Sequence, residues 1–193
     1  MITIIPAEKK HCDDIVRLVM MAMTEPCCLY YAGKGRTLAD FARVMRVLVS
    51  EERSQYSYTN ATVATDEHEH VMGACVAYDG ALLHELRESF FKAMREEIGR
   101  TFETFDDETA AGEYYIDSLA VYPHHRRNGV AKALLTAAIE KAHAMGMPAG
   151  LLVDKGNPNA EHLYSSVGFH FVNDSHWGGH PMKHMQTRFR VSE

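Results

Sequence analysis

The chain has 193 residues, 46% of them hydrophobic, and a formal net charge of -6 at pH 7. This length fits one domain with room for an insertion, and the hydrophobic fraction is sufficient for a core, so we expect a single domain over residues 1–193. The negative charge argues against a general nucleic-acid-binding protein, because contacts to phosphate need clustered Lys and Arg side chains.

Two features bear on the compartment in which the protein works. The segment Met1–Pro6 lacks a basic region, and no run approaches the roughly 18 uninterrupted apolar residues of a membrane span. The four cysteines have the spacing of neither a metal site nor a redox motif. We therefore expect a cytoplasmic protein with reduced thiols and with no membrane or nucleic-acid partner.

The first part of the chain predicts a strand, two helices and a hairpin. Thr3–Ile5 is the strand, and a helix follows that begins at Asp13 or Asp14. A loop rich in turn residues separates it from the second helix, and the residues 61–65 and 71–78 form the hairpin. The loop contains Pro26, Gly33 and Gly35. The core-facing positions of the two helices are Ile15, Leu18, Val19 and Met23, then Leu38, Phe41, Met45 and Leu48.

Residues 79–113 predict a helical insertion, because a hairpin between two successive strands needs only a few residues. Apolar residues at helical spacing run from Leu82 to Ile98, and the helix is expected to end near Gly99. The segment holds ten acidic and four basic residues, which gives the net charge of the whole chain. An acidic wall would attract a cationic amine; alternatively, these carboxylates are a solvated helix face and loop.

A turn that opens a helix predicts a phosphate site. The β-like run from Tyr114 to Pro123 leads into Arg126-Arg127-Asn128-Gly129-Val130-Ala131 and then into an amphipathic helix. Such a turn presents unpaired N–H groups and the positive end of the helix dipole to a pyrophosphate. The turn lacks the Lys-Ser/Thr pair of a nucleotide-triphosphate loop and the three glycines of a dinucleotide fingerprint, which argues against a kinase-like protein.

These residues resemble the GNAT superfamily of acetyl-CoA-dependent N-acyltransferases, whose signature is Arg/Gln-x-x-Gly-x-Gly/Ala at the start of a helix. A predicted buried strand over residues 149–154 comes next. The stretch from Asn157 to Phe169 then reads Asn-x-x-Ala-x-x-Leu-Tyr-x-x-x-Gly-Phe, and it is similar to the family's second signature at every fixed position. The resemblance is strong over residues 114–172 and implies an α/β (α+β) GNAT fold, with a mixed, mostly antiparallel twisted sheet flanked by helices.

The resemblance also implies which residues hold acetyl-CoA as the cosubstrate. Leu119, Ala120 and Val121 would line the pantetheine and the acetyl group, where the motif strand splays from its neighbour. Asn157 would hydrogen-bond the pantetheine or simply start a helix, and Ala160 belongs to the same motif. The residues expected around the pyrophosphate are Arg126, Arg127, Asn128, Gly129, Val130, Ala131 and Lys132.

Acyl transfer to an amine needs a neutral nucleophile and a proton for the departing thiolate. Tyr164 matches the family position whose phenol lies beside the cofactor sulfur, so it is the candidate acid; otherwise it packs its helix on the sheet. Asp117 is the first candidate base, because a carboxylate in an apolar strand is costly unless it is paired or functional. Glu113, acting through a water, and the weaker candidate Asp154 are alternatives.

The twelve histidines do not predict a metal site. His176, His180 and His184 recur at four-residue intervals, but Gly178, Gly179 and Pro181 interrupt any helix that would bring them together. Residues 183–190 alternate instead as a last strand would.

The sequence therefore predicts an N-acetyltransferase in which a small-molecule primary amine, cationic if the acidic wall acts on it, attacks acetyl-CoA directly in a ternary complex. The alternative is a GNAT-like acyl-CoA sensor without transferase activity. A homodimer is compatible with the exposed faces, and the identity of the amine stays open.

Overall fold

The computed structural model describes residues 1–189 and builds them around one twisted sheet. The strands are β1 (Thr3–Pro6), β2 (Ala61–Thr65), β3 (Val71–Asp79), β4 (Tyr114–Val121), β5 (Ala149–Asp154), β6 (Phe169–Trp177) and β7 (His180–Thr187). Within these residues the seven strands lie in the order β1-β2-β3-β4-β5-β7-β6. Neighbours are antiparallel except for β4 and β5, which are parallel, so the predicted mixed, mostly antiparallel sheet is confirmed.

Helices cover both faces of the sheet. They are α1 (Cys12–Met23), α2 (Glu25–Ala32), α3 (Leu38–Ser50), α4 (Leu83–Ile98), α5 (Val130–Ala144) and α6 (Pro158–Ser166). The first four pack with β1 to β3 around one cluster of buried side chains that includes Phe41, Met45 and Phe90. A second cluster on the opposite face centres on Leu134 and Leu135 of α5. Burying both faces of the sheet in this way supplies the main driving force for folding.

Local sequence signals explain where several helices begin and end. Thr37 caps α3 by accepting a hydrogen bond from the Asp40 N–H at 3.2 Å, and the Asp40 carboxylate in turn accepts one from the Thr37 N–H at 2.9 Å. Gly99 ends α4 in the left-handed conformation with φ of 69°. The helix predicted between residues 82 and 99 is therefore confirmed, and the acidic segment does place a 16-residue helix before β4.

The loop predicted around Pro26 is wrong, because α2 occupies Glu25–Ala32. Proline in the first turn of a helix loses no hydrogen bond, so Pro26 starts the helix, and Gly33 follows its last residue. The junction with α1 is Thr24, whose φ of 70° lets the chain turn by 99° between the two helices. Among residues 1–189 no single helix is long and apolar enough to cross a membrane, and α1 with α2 passes that test only as this bent pair.

The end of the chain is a hairpin of which the sequence predicts only one strand. The sequence does not predict β6, because most of its residues are exposed at the edge of the sheet and its side chains show no apolar alternation. β7 spans His180–Thr187 rather than 183–190, and Arg190 lies outside the described residues. The two strands turn at Gly178 and Gly179, both of which have positive φ.

Candidate active site

The candidate site is a cleft of about 730 Å³ that opens where β4 and β5 part. These parallel strands pair over only three residues each, from Tyr114 opposite Ala149 to Ile116 opposite Leu151. Beyond this point β4 continues to Val121, and its main chain is no longer paired with β5. Leu119, Ala120 and Val121 all line the cleft there, and the expected splay of the motif strand is thus present.

One end of the cleft is the N-terminus of α5. Gly129 is the N-cap residue with φ of 81°, a left-handed conformation that favours glycine. Among the described residues, no neighbouring heavy atom lies within 4 Å of the position that a Cβ would take there. The first hydrogen bond of this turn runs from the Ala133 N–H to the Gly129 carbonyl at 3.0 Å. Within the described chain, the N–H groups of residues 130–132 have no main-chain acceptor, as expected for the first turn of a helix. Three donors thus converge on the cleft.

Basic side chains surround these donors. Arg126, Arg127 and Lys132 line the cleft together with Val130 and Ala131, whereas Asn128 does not. The Arg126 Nε donates to the Val121 carbonyl at 3.1 Å, which holds the turn against the end of β4. Arg127 adopts φ of 63°, so the turn contains two left-handed residues close together. The combination of cationic side chains and free N–H groups fits a pyrophosphate.

The second motif lies on the opposite wall. Asn157, Ala160 and Tyr164 all line the cleft from α6. The Asn157 Oδ1 accepts from the Ala160 N–H at 3.1 Å, so this side chain does cap α6, and its Nδ2 is the atom left to meet a ligand. Burial raises the pKa of Tyr164 to about 12, with a smaller contribution from Cys75, so the phenol stays protonated at neutral pH.

Asp117 lies in the middle of the cleft at a β-bulge. On β3, Val76 pairs with Ser118 and Ala77 pairs with Ile116, which leaves Asp117 as the additional residue of β4. Its carboxylate accepts from the Ser118 hydroxyl at 2.8 Å and lies 3.3 Å from the Tyr78 hydroxyl. Burial first, and then the charge of Glu108, raise the pKa of Asp117 to about 7. A carboxylate of this basicity is suited to general base catalysis near neutral pH.

Glu113, the alternative base, lies outside the cleft. Its side chain is only 3% exposed and rests over Gly150, where an added Cβ would overlap the carboxylate. Thr109 and Gln186 donate to it at 2.6 and 2.7 Å, and His184 Nε2 lies 2.7 Å away. Burial alone would raise the pKa of Glu113, but these hydrogen bonds together lower it. The residue ties the sheet to the preceding loop and does not face the ligand.

Glu108 lines the cleft although the sequence gives no reason to single it out. It lies on the loop of residues 99–113, which joins α4 to β4, and it is 6% exposed. Gln55 donates to its Oε1 at 2.6 Å, the Tyr78 hydroxyl lies 3.2 Å from the same atom, and Arg87 forms an ion pair with its Oε2. These partners are remote from it in the sequence, so no local pattern reveals them.

The remaining candidates take other positions. Asp154, at the end of β5, lines the cleft, and its Oδ1 accepts from the Gly156 N–H at 2.6 Å. His176 and His180 lie on the β6–β7 hairpin, whereas His184 is hydrogen-bonded to Glu113. No group of three or more His, Cys, Asp or Glu side chains in residues 1–189 is arranged to hold a metal ion.

Comparison with known proteins gives one family match and several structural matches. The model of the acetyltransferase (GNAT) family matches residues 49–169. A crystal structure described as an acetyltransferase is 26% identical, with a TM-score of 0.78 over 97% of this chain and 100% of that chain. An N-acetyltransferase from Staphylococcus aureus Mu50 is 21% identical, with a TM-score of 0.79 over 96% of this chain and 100% of that one.

A more distant structure has the same fold. The ribosomal-protein-S18-alanine N-acetyltransferase from Escherichia coli is 16% identical, with a TM-score of 0.58 over 100% of this chain and 97% of that chain. No curated protein matches the chain.

Proposed function

The chain belongs to the GNAT acetyltransferase family, and we propose that it transfers the acetyl group of acetyl-CoA to a small-molecule primary amine. Membership of this family makes it an acyltransferase. The proposal adds acetyl-CoA as the donor, a primary amine as the acceptor, and direct attack in a ternary complex without a covalent enzyme intermediate.

The observation that carries the proposal is the cleft between the diverging strands. At one end it has the free N–H groups of residues 130–132 beside Gly129, and in its middle it has the carboxylate of Asp117. A phosphate-bearing acyl donor needs an anion-binding site, and an amine nucleophile needs a base. The cleft offers both.

These residues supply the groups that acyl transfer uses. When it is bound, acetyl-CoA supplies the thioester carbonyl and the thiolate leaving group. The α5 N-terminus, with Arg126, Arg127 and Lys132 around it, holds the diphosphate, and the stretch Leu119–Val121 of β4, which pairs with β3 but not with β5, orients the pantetheine arm. Asp117 takes a proton from the ammonium form of the acceptor, which frees the nitrogen lone pair to attack, and the nitrogen loses its second proton to solvent as the amide forms.

Tyr164 donates a hydrogen bond to the leaving sulfur. Its pKa of about 12 lies above the unperturbed thiol value near 8.5, so complete transfer of the phenolic proton to the thiolate is uphill. We therefore assign Tyr164 the role of a donor that stabilises the thiolate as it departs, and solvent completes the protonation.

An initial-rate study tests the proposal. Thiol release from acetyl-CoA is followed with a panel of amines while both substrates are varied. Direct attack in a ternary complex predicts double-reciprocal lines that intersect, whereas a covalent enzyme intermediate predicts parallel lines. Binding of CoA by folded protein without turnover of any amine would refute the proposed activity and support the sensor alternative.

Two further expectations stay predictions. A cytoplasmic location rests on cysteine usage, and all four thiols are free in the structure. The homodimer rests on exposed faces, and sedimentation of the purified protein would decide it.

A further inference from the structure

The 99–113 loop contributes Glu108 to the cleft, close to Tyr78 and Asp117. Phe102 and Phe105 anchor it in an aromatic cluster in which Tyr31 lies 6.1 and 5.5 Å from their ring centres. The Asp106 carboxylate accepts from the Gly178 N–H at 3.0 Å, which joins the loop to the β6–β7 turn. The loop is thus fixed at two places, and its Glu108 is held at a defined position in the cleft.

The Tyr78 hydroxyl links Glu108 to Asp117. It lies 3.2 Å from the Glu108 Oε1 and 3.3 Å from the Asp117 Oδ2. A phenol has a single hydrogen and can donate to only one of these carboxylates at a time. A primary ammonium has three donors, so it can satisfy both carboxylates together.

The local charges also favour a cation. The Arg87 guanidinium is 3% exposed and pairs with Asp107 at 2.7 Å and with Glu108. One positive group therefore faces three carboxylates when Asp117 is ionised. The Lys and Arg side chains that line the cleft, Arg126, Arg127 and Lys132, belong to the phosphate turn. An anionic group on the acceptor would meet only repulsion near Glu108.

The walls around these carboxylates are largely apolar. Cys27, Tyr56 and Trp177 line the cleft at this end: Tyr56 interacts with Asp117, Glu108 and Cys27, and the Trp177 ring centre lies 5.6 Å from that of Tyr31 in the aromatic cluster. An apolar or aromatic body would bury its surface against them, whereas a second charged group would lose hydration without a partner.

We propose that Glu108 and Asp117 form a subsite that binds the ammonium of the acceptor, and that the acceptor is a primary amine on an apolar or aromatic body without an anionic group. This inference rests on the proposed function. In the subsite an N–H bond of the ammonium breaks, its electron pair stays on nitrogen, and the proton forms an O–H bond with Asp117, which later releases it to solvent. Glu108 takes no part in this transfer and determines specificity.

The test compares 2-phenylethylamine with phenylalanine, which has the same aromatic body and an added carboxylate. Wild-type protein is expected to acetylate 2-phenylethylamine with a kcat/KM at least about tenfold higher. Glu108→Gln should lower this kcat/KM by about ten- to a hundredfold and leave the KM of acetyl-CoA unchanged. Glu103→Gln is the matched control, because Glu103 is an exposed acid of the same loop, and it should change neither value.

A preference for phenylalanine, or an unchanged kcat/KM in Glu108→Gln, would overturn the inference. If Glu108→Gln does not fold, as judged by its melting curve, Arg87→Gln/Glu108→Gln replaces it, since this pair leaves no buried guanidinium facing a lost partner. If no amine releases thiol, the proposed activity fails, and calorimetry on CoA-saturated protein decides the subsite. Heat of 2-phenylethylamine binding that Glu108→Gln abolishes and Glu103→Gln retains supports the subsite, and absence of binding to wild type refutes it.

Discussion

Asp117→Asn should impair catalysis because it removes a carboxylate while keeping the size of the side chain. Burial and the neighbouring Glu108 raise the pKa of Asp117 to about 7. Only the ionised form accepts a proton, so kcat/KM of the wild type should fall about tenfold for each pH unit below 7. At pH 8 the Asn variant should lose on the order of 10²- to 10⁴-fold in kcat/KM, and the acidic limb of its profile should disappear.

The same substitution should make the protein more stable. The pKa of Asp117 is higher in the folded protein than its ordinary 3.8, so ionisation of this carboxylate opposes folding. The cost is absent below about pH 4, grows as the pH rises to about 7, and is constant above that value. The rise of the Asp117 pKa from 3.8 to about 7 corresponds to an upper limit of about 4 kcal/mol, and for a half-buried side chain we expect about 2 kcal/mol at pH 8.

Two measurements at several pH values check this pair of effects. Thiol release from pH 5.5 to 8.5 gives the profile, and urea unfolding at pH 4 and pH 8 gives the free energy of unfolding. Asp154→Asn is the control, because it removes a carboxylate elsewhere in the cleft and should keep the acidic limb. A variant of Asp117 that keeps the limb, or that loses stability at pH 8 as well as activity, would refute the assignment. The ionisable groups that interact electrostatically with Asp117 are Tyr56, Cys75, Tyr78, Arg87, Glu108 and Tyr115.

Three other substitutions give distinct outcomes. Gly129→Glu should weaken CoA binding by at least about tenfold in calorimetry, because it puts a negative charge at the phosphate turn and a side chain at φ of 81°; unchanged affinity would remove the phosphate site from this turn. Tyr164→Phe should lower kcat by about ten- to a hundredfold and leave CoA affinity unchanged, and equal kcat would reduce Tyr164 to packing. Glu113→Gln should lower the free energy of unfolding by about 2 kcal/mol while kcat/KM stays within about twofold of the wild type. A large loss of kcat/KM at unchanged stability would instead indicate that Glu113 acts as the base.

The cofactor half of the cleft is predictable from sequence because its geometry is local. A left-handed glycine before a helix and an asparagine cap both act over a few residues, so the motifs at Gly129 and Asn157 place these turns correctly. The helix over residues 83–98 is also local, since its apolar spacing and Gly99 define it. Pro26 shows the limit of such signals, because proline and glycine mark the ends of a helix as readily as they mark a loop.

Apart from Asp117, which the sequence predicts as the first candidate base, the acceptor half could not be predicted because it depends on distant contacts. Glu108 meets Gln55, Tyr78 and Arg87, which lie 53, 30 and 21 residues away. The bulge at Asp117 is a property of the pairing between β3 and β4, and strict alternation along β4 cannot reveal it. Glu113, four residues before Asp117, is the alternative base by sequence, and only the structure shows that its carboxylate lies over Gly150.

The two ends of the cleft use different parts of the protein, main chain at one end and side chains at the other. This difference affects how the choice of acceptor could change. The donor is bound largely by main-chain amide groups, and any residue that can adopt the backbone conformation of the turn would present the same amides. The chamber for the acceptor is defined by side chains, and Glu108 among them comes from the connection between α4 and β4. Replacing that connection alone should therefore change which acceptor is used, while the protein keeps the same acyl donor.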